Sequence, residues 1–403
     1  MSIGGSAALV GIGETPVTRT TFSENSFTVE DYVGMAVDAA LKSAGIEKKD
    51  IDRQGVVVNR TSFRTGMGWG ASLCERIGLS PRWQICVDHG GMNATAGIAQ
   101  ATLAINSGII DLAIIIGAET PLSTGQPLPT RETDNDFHSR DFEDPFGVQG
   151  PNSKFAMVCR RHMYQNGTRF EHLGKIAVTQ REHACLNPLA FFYGKPITLD
   201  DYMNSRWIAH PLRLLDCVMP CNGGMAFIIA SSKKAKEITD APVYVLGFGE
   251  SDNYFAGPKS TPDITMMGFG EASRRAHEMA GSKQGDMQFL QLYDDYTIAV
   301  LMTIESLGYC EVGEGGRFVE KTDLSYKGEL PINTGGGQLS AGQPVGAACG
   351  GMKMYGEAFY QLRGEAGQRQ IKGAKIGMCT GIGLLNYGRN VTNEGVMILG
   401  SEL

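Results

Sequence analysis

Four short segments of this 403-residue chain gather residue types that could bind and polarise a carbonyl group. The first is Val87-Asp88-His89-Gly90-Gly91-Met92-Asn93, which joins an apolar run to a helix-like stretch of small residues. A chain that turns on glycine into a helix leaves backbone N–H groups free at the helix start, where an oxyanion can sit. His89, Gly90 and Gly91 are therefore candidate oxyanion or substrate contacts, against the alternative of a purely structural tight turn. The second is Leu292-Tyr293-Asp294-Asp295-Tyr296-Thr297, at a strand-to-helix junction of the kind that carries catalytic groups in α/β folds. Its two tyrosines and two carboxylates are an acid/base inventory, with Tyr293 and Asp294 as the catalytic candidates; for Asp295 a helix cap is the simpler reading, and Tyr296 suits a core position or substrate contact. The third, residues 333–346, is dense in glycine but lacks the Gly-Lys-Ser/Thr ending of a phosphate loop, so a P-loop is rejected. It carries Gln343, a donor for a carbonyl oxygen. The fourth, Gly377-Met378-Cys379-Thr380-Gly381-Ile382-Gly383, runs from a strand into a glycine turn and offers one thiol, Cys379, whose alternative is inert packing.

Short apolar runs alternating with helical patterns must position these segments, which is α/β order. Strands are predicted at residues 8–12, 55–58, 112–116, 226–230, 243–247, 289–292, 375–379 and 396–399. Helices are predicted at 29–44, 94–106, 271–279 and 297–307. The continuous apolar run at 112–116 fits a strand covered on both faces. From residue 121 to about 220, Asp, Arg, His, Asn and Pro become frequent and strands hard to find, so an inserted loop domain is expected. It holds one clear helix start at Thr198, followed by Asp200 and Asp201. Residues 94–116 find an echo at 352–379, as in a duplicated unit whose two glycine turns meet at one site.

Composition narrows the partners. A net charge of -7 without a Lys/Arg cluster excludes nucleic acid as the main ligand. No apolar run approaches the ~20 residues of a membrane span, and no secretory pattern opens the chain, so a cytoplasmic protein is expected. Nine cysteines without metal spacing fit reduced thiols, with no metal in this chain.

Taken together, the four segments resemble the thiolase superfamily, most closely its sterol-carrier-protein and lipid-transfer-protein group. The likeness extends along the chain, including Asn187-Pro188, residues 196–204 and Pro211-Leu212-Arg213-Leu214-Leu215-Asp216-Cys217 of the insertion. It implies a duplicated five-layered αβαβα core with halves at 1–238 and 239–403, the loop domain at about 121–220, and an active site between the four segments. The departures carry the functional expectation. Gly91 stands where that family has its acyl-accepting cysteine, Gln343 replaces the histidine of its Gly-His-Pro motif, and Tyr293 replaces its Asn or His. Cys379 matches the family's second cysteine, and Gly91 and Gly381 its second oxyanion hole. Glycine cannot form a thioester, so covalent acyl transfer is lost while a thioester can still bind.

Among such proteins the resemblance points to steroid side-chain-degrading aldolases, which split a β-hydroxyacyl-CoA into a ketone and a shorter acyl-CoA. It implies a CoA thioester substrate, a homodimer, and a small OB-fold zinc-ribbon partner forming a heterotetramer, with zinc only in that partner. Expected roles are acid/base for Tyr293, enolate stabilisation for the Gln343 region, and α-carbon protonation for Cys379 or an ordered water. The alternatives are a non-catalytic acyl-CoA or lipid carrier or scaffold subunit, and a thiolase or acyltransferase using Cys379 or Cys86.

Overall fold

The computed structural model describes the chain except for residues 1–2, 22–25, 62–67, 123–140, 142, 149, 253–262, 345, 384 and 386–390. The opening of the insertion expected from residue 121 and Val345 of the glycine segment therefore lie largely outside the described residues. Nine strands follow one another in the order Leu290–Gln291, Ile376–Ile382, Asn393–Gly400, Val243–Asp252, Ala7–Glu14, Gly223–Ser231, Leu112–Glu119, Gly55–Asn59 and Trp83–Val87. The join between Ala7–Glu14 and Val243–Asp252 rests on only Ala8 with Tyr244 and Leu9 with Val243. The ribbon thus behaves as two sheets meeting at a narrow seam.

Helices fill three layers around these sheets. Val29–Ala44 covers the outer face of Ala7–Glu14, Gly223–Ser231 and Leu112–Glu119. Its register follows from residues at helical spacing, from Val29 through Tyr32, Val33, Ala36 and Val37 to Ala44, which are buried. Its ends are set by a Thr28–Asp31 capping box and by Gly45 in the left-handed conformation. The inner layer pairs Asn93–Asn106 with Met352–Arg363, and the former touches strands of both sheets. Small residues let it sit that deep: a Cβ on Gly97 would already lie 3.2 Å from Ile115 and 3.3 Å from Asn59. Phe269–Ala280 closes the far side against Val243–Asp252 and Asn393–Gly400. The layering is αβαβα, as the resemblance implied.

The described residues of the stretch expected as an insertion hold three α-helices and several two- or three-residue strands. Gly150–Asn166 and Phe170–Cys185 are full helices, and the second packs on Thr297–Ser306, Gly315–Lys321 and Gly337–Ala341. Neither is evident from the sequence, because their buried faces carry Lys154, His162, His172, Gln180, Arg181 and His183, which blur the apolar period. The Thr198 start is present, with a capping box to Asp201 opening Leu199–Asn204. Among the described residues no helix is long and apolar enough to cross a membrane.

Candidate active site

The first glycine turn becomes a single 3-10 turn, Gly90–Met92, that feeds the inner helix Asn93–Asn106. Asn93 fastens it: its Oδ1 accepts from the His89 N–H at 2.6 Å, and its Nδ2 donates to the Ala347 carbonyl of the opposite half at 2.9 Å. Gly90 takes φ +58° and is packed against Gly383, a position a side chain would fill. Gly91 is buried, and a Cβ built on it would collide with the Tyr293 hydroxyl and the Ile382 carbonyl. The space that a side chain at position 91 needs is thus held by a phenol. That hydroxyl also lies at the N-terminus of a fourteen-residue helix, where the dipole favours negative charge.

Tyr293 is held by its neighbours. Its N–H donates to Thr380 Oγ1 at 2.9 Å, and its hydroxyl donates to Asp295 Oδ2 at 2.7 Å. Burial, then the charge of Asp295 and the hydrogen bond to it, push the phenol well above its ordinary range, while a hydrogen bond with Gln343 opposes the rise. Burial raises the Asp295 carboxyl to about 6, against the lowering effect of the Tyr293 hydrogen bond. The result is a hydrogen-bonded pair in which the carboxyl is held at about 6 and the phenol keeps its proton more firmly than a free tyrosine.

The two adjacent carboxylates have different work from that expected. Asp294, expected beside Tyr293 in the chemistry, is fully buried and turned to the glycine segment. It accepts the N–H groups of Gln338 at 2.8 Å and Leu339 at 3.2 Å, closing the start of the Gly337–Ala341 turn. Burial raises its carboxyl to about 8, with those backbone bonds and the Gln338 side chain pulling it down and Asp295 pushing it up. Asp295, for which a cap was the simpler expectation, is the residue on the phenol. Sequence alone could not choose between them, because neighbours at a strand end point to opposite sides.

Gln343 joins this group. It is buried in the two-residue strand Gln343–Pro344, paired with Pro220–Cys221, and its Oε1 has no hydrogen-bond partner among the described residues. Tyr296 does not join it: its ring stacks on Phe155 at 4.3 Å between centroids and its hydroxyl donates to Asn152 Oδ1 at 2.6 Å, tying the insertion to the core. His89 is half-buried at the turn, its Nδ1 without a described partner. Cys379 lies three residues before Ile382, which faces the glycine turn. It is fully buried, its Sγ–H directed at the Met354 carbonyl 3.8 Å away in the inner layer, and burial pushes its thiol far up. Gly381 lies beside Met92 and Thr95, whereas the residues that face Gly91 and Gly90 are Ile382 and Gly383. Cys86 is exposed on the edge strand Trp83–Val87.

The aromatic residues at 191–207 make packing contacts away from Tyr293. Phe192 lies under the Arg181 guanidinium at 3.7 Å, Trp207 under that of Arg213 at 3.8 Å, and Phe191 donates its N–H to the Ala341 carbonyl beside the glycine segment. Among the described residues no group of three or more His, Cys, Asp or Glu side chains could hold a metal ion.

The family model described as "Thiolase C-terminal domain-like" matches residues 256–401. The chain is 35% identical to an acetyl-CoA acetyltransferase of Methanothermobacter thermautotrophicus, over 91% of this chain and 94% of the relative. It is 31% identical to a 17-hydroxy-3-oxo-4-pregnene-20-carboxyl-CoA lyase of Mycobacterium tuberculosis, over 98% of this chain and 100% of the relative. Among solved structures it is similar to that of an Ltp2-ChsH2(DUF35) aldolase, with TM-score 0.82, 29% identity and 99% of each chain covered.

Proposed function

Because this chain belongs to the thiolase superfamily and yet has no side chain at position 91, we propose that it is an aldolase acting on an acyl-CoA thioester. It cleaves a β-hydroxyacyl-CoA by retro-aldol chemistry, giving a ketone and a shorter acyl-CoA, with no covalent acyl-enzyme. The observation that carries this reading is the Tyr293 hydroxyl, bonded to Asp295, in the space that a side chain at position 91 would need. The steps balance. The β-hydroxyl proton passes to the phenolic oxygen as the phenol proton moves to Asp295, and the β-carbon becomes a carbonyl. The Cα–Cβ bond breaks, its electron pair forms the thioester enolate, and the proton returns to the α-carbon. The Gly91 turn and the Gln343 amide would stabilise the enolate oxygen. The α-proton falls to the Tyr293–Asp295 pair because the Cys379 thiol is directed into the inner layer.

The same reading gives the acyl group as a steroid side chain or one of similar bulk, by the name of the lyase relative. It places residues 1–238 and 239–403 as two halves, with an insertion at about 121–220, in a cytoplasmic protein. It assigns a homodimer built on the free edge of Trp83–Val87, where Trp83, Gln84 and Ile85 are only half-buried in the single chain. It adds a small OB-fold zinc-ribbon subunit, completing a heterotetramer and holding the only zinc; the similar aldolase structure, named for Ltp2 together with ChsH2(DUF35), supports such a second subunit. Acyl transfer, favoured by the acetyltransferase relative, has no sulfur at the position where it would have to occur. Co-expression with a small OB-fold zinc-ribbon protein of the DUF35 kind and a screen of β-hydroxyacyl-CoA substrates, read by mass for released acyl-CoA, tests the reading. Cleavage of a bulky β-hydroxyacyl-CoA is the expected result; thioester binding with no cleavage of any of them would instead make the chain a carrier.

A further inference from the structure

We propose that Gln338 is the positioning residue of this site, its side-chain amide fixing Asp295 to receive the Tyr293 proton and tying it to the turn behind Gly91. The proposal rests on the retro-aldol reading and extends it to a residue outside the reacting groups. Gln338 is fully buried in the glycine segment. Its Nε2 donates to Asp295 Oδ1 at 3.1 Å, and its Oε1 accepts the Gly351 N–H at 3.0 Å. Gly350 and Gly351 in turn press on Gly91: a Cβ on Gly350 would collide with the Gly91 Cα, and one on Gly351 would lie 3.2 Å from the Gly91 carbonyl and 3.7 Å from the Tyr293 ring. One amide therefore sets two distances, that from carboxylate to phenol and that from phenol to the glycine turn.

The job needs an amide. A group that donates at one end and accepts at the other can satisfy both a carboxylate and an N–H, which neither a carboxylate nor a hydrocarbon can. Holding Oδ1 leaves Oδ2 turned to the phenol. Without that anchor the Asp295 carboxylate is free to turn about its side-chain bonds and leave Tyr293 without an acceptor.

The test is the pH profile of retro-aldol kcat/KM for the co-expressed complex carrying Gln338→Met or Gln338→Glu, with thermal unfolding measured alongside. The amide donor favours the ionised Asp295, so removing it raises the pH at which Asp295 becomes a base. The acid limb should move up by about one pH unit in Gln338→Met, the size expected for a lost hydrogen bond to a charged group. Gln338→Glu keeps an acceptor for the Gly351 N–H and sets a second carboxyl beside Asp295, so it should move the limb in the same direction without loosening the turn. The titratable groups that face Asp295 are Tyr293, Asp294 and Tyr296 on its own turn, with Cys217 opposite Tyr296; because the Gln338 side chain also lowers the Asp294 carboxyl, the same shift is required of Gln338→Met in an Asp294→Asn background, where Asp294 cannot titrate. An acid limb that stays in place in both variants, whatever the loss of rate, would overturn the proposal and leave Gln338 as packing. Wild-type complex without turnover would remove the retro-aldol reading and this inference together, whereas turnover with an unmoved limb removes the inference alone.

Discussion

A phenol bonded to a carboxylate gives up its proton only when another proton replaces it, and this makes the Tyr293–Asp295 pair a relay instead of a free base. Tyr293→Phe leaves the ring in place and removes the hydroxyl, so retro-aldol kcat should fall more than tenfold with folding intact; a smaller loss in steady-state turnover would remove Tyr293 as principal acid/base. Asp294 makes a different prediction, about stability. Its carboxyl rises from the unfolded carboxylate range to about 8, so the folded state holds a proton that the unfolded state has lost. Stability should then fall as pH rises from about 4 towards 8, by at most ~1.4 kcal/mol per pH unit from this group, and flatten above. Asp294→Asn cannot titrate, and its denaturation midpoints across that window should fall less steeply than those of the parent. Equal slopes would place the titration elsewhere.

At the scale of elements, the site is a meeting of one strand-to-helix turn, one glycine segment and two glycine turns before inner helices. Gly337 shows how tightly they fit. It takes φ +62°, and a Cβ there would collide with Asp294 Oδ2. Gly337→Ala should cost about 1–3 kcal/mol in chemical denaturation and lower turnover, since it strains the backbone and displaces the carboxylate that starts the turn. Much of this scaffold was legible in the sequence. The Val29–Ala44 helix carries an unbroken apolar face, and the strands at 112–116 and 396–399 are continuous apolar runs, so periodicity found them. Gly91, Tyr293 and Gln343 were also legible, as departures at three expected positions, and they do come together. What was not legible depends on direction and register. Asp294 and Asp295 are adjacent and identical, and only the backbone decides which meets the phenol. Cys379 lies on the right strand but two residues, roughly 7 Å, from Gly381, and farther still from Ile382 and Gly383, which face the glycine turn. Gln338 gave no signal, because an amide within a glycine-rich segment looks like any loop residue until its three partners are in place.

For the whole molecule, the αβαβα layering explains how the site is held preorganised. The inner helices lie between two sheets, so the Gly91 turn and the start of Met352–Arg363 are backed by core on both sides and cannot drift. Helix Phe170–Cys185 packs on Thr297–Ser306, which Asp295 precedes by two residues, and on Gly337–Ala341, which carries Gln338. The central claim about this molecule is that its thioester ligand is cleaved without ever being bonded to the protein. Intact-mass measurement of the complex, quenched while a β-hydroxyacyl-CoA is being turned over, tests it most directly. The expected result is an unmodified chain while the shorter acyl-CoA accumulates; an acyl adduct on the chain that forms and decays at the rate of turnover would contradict it.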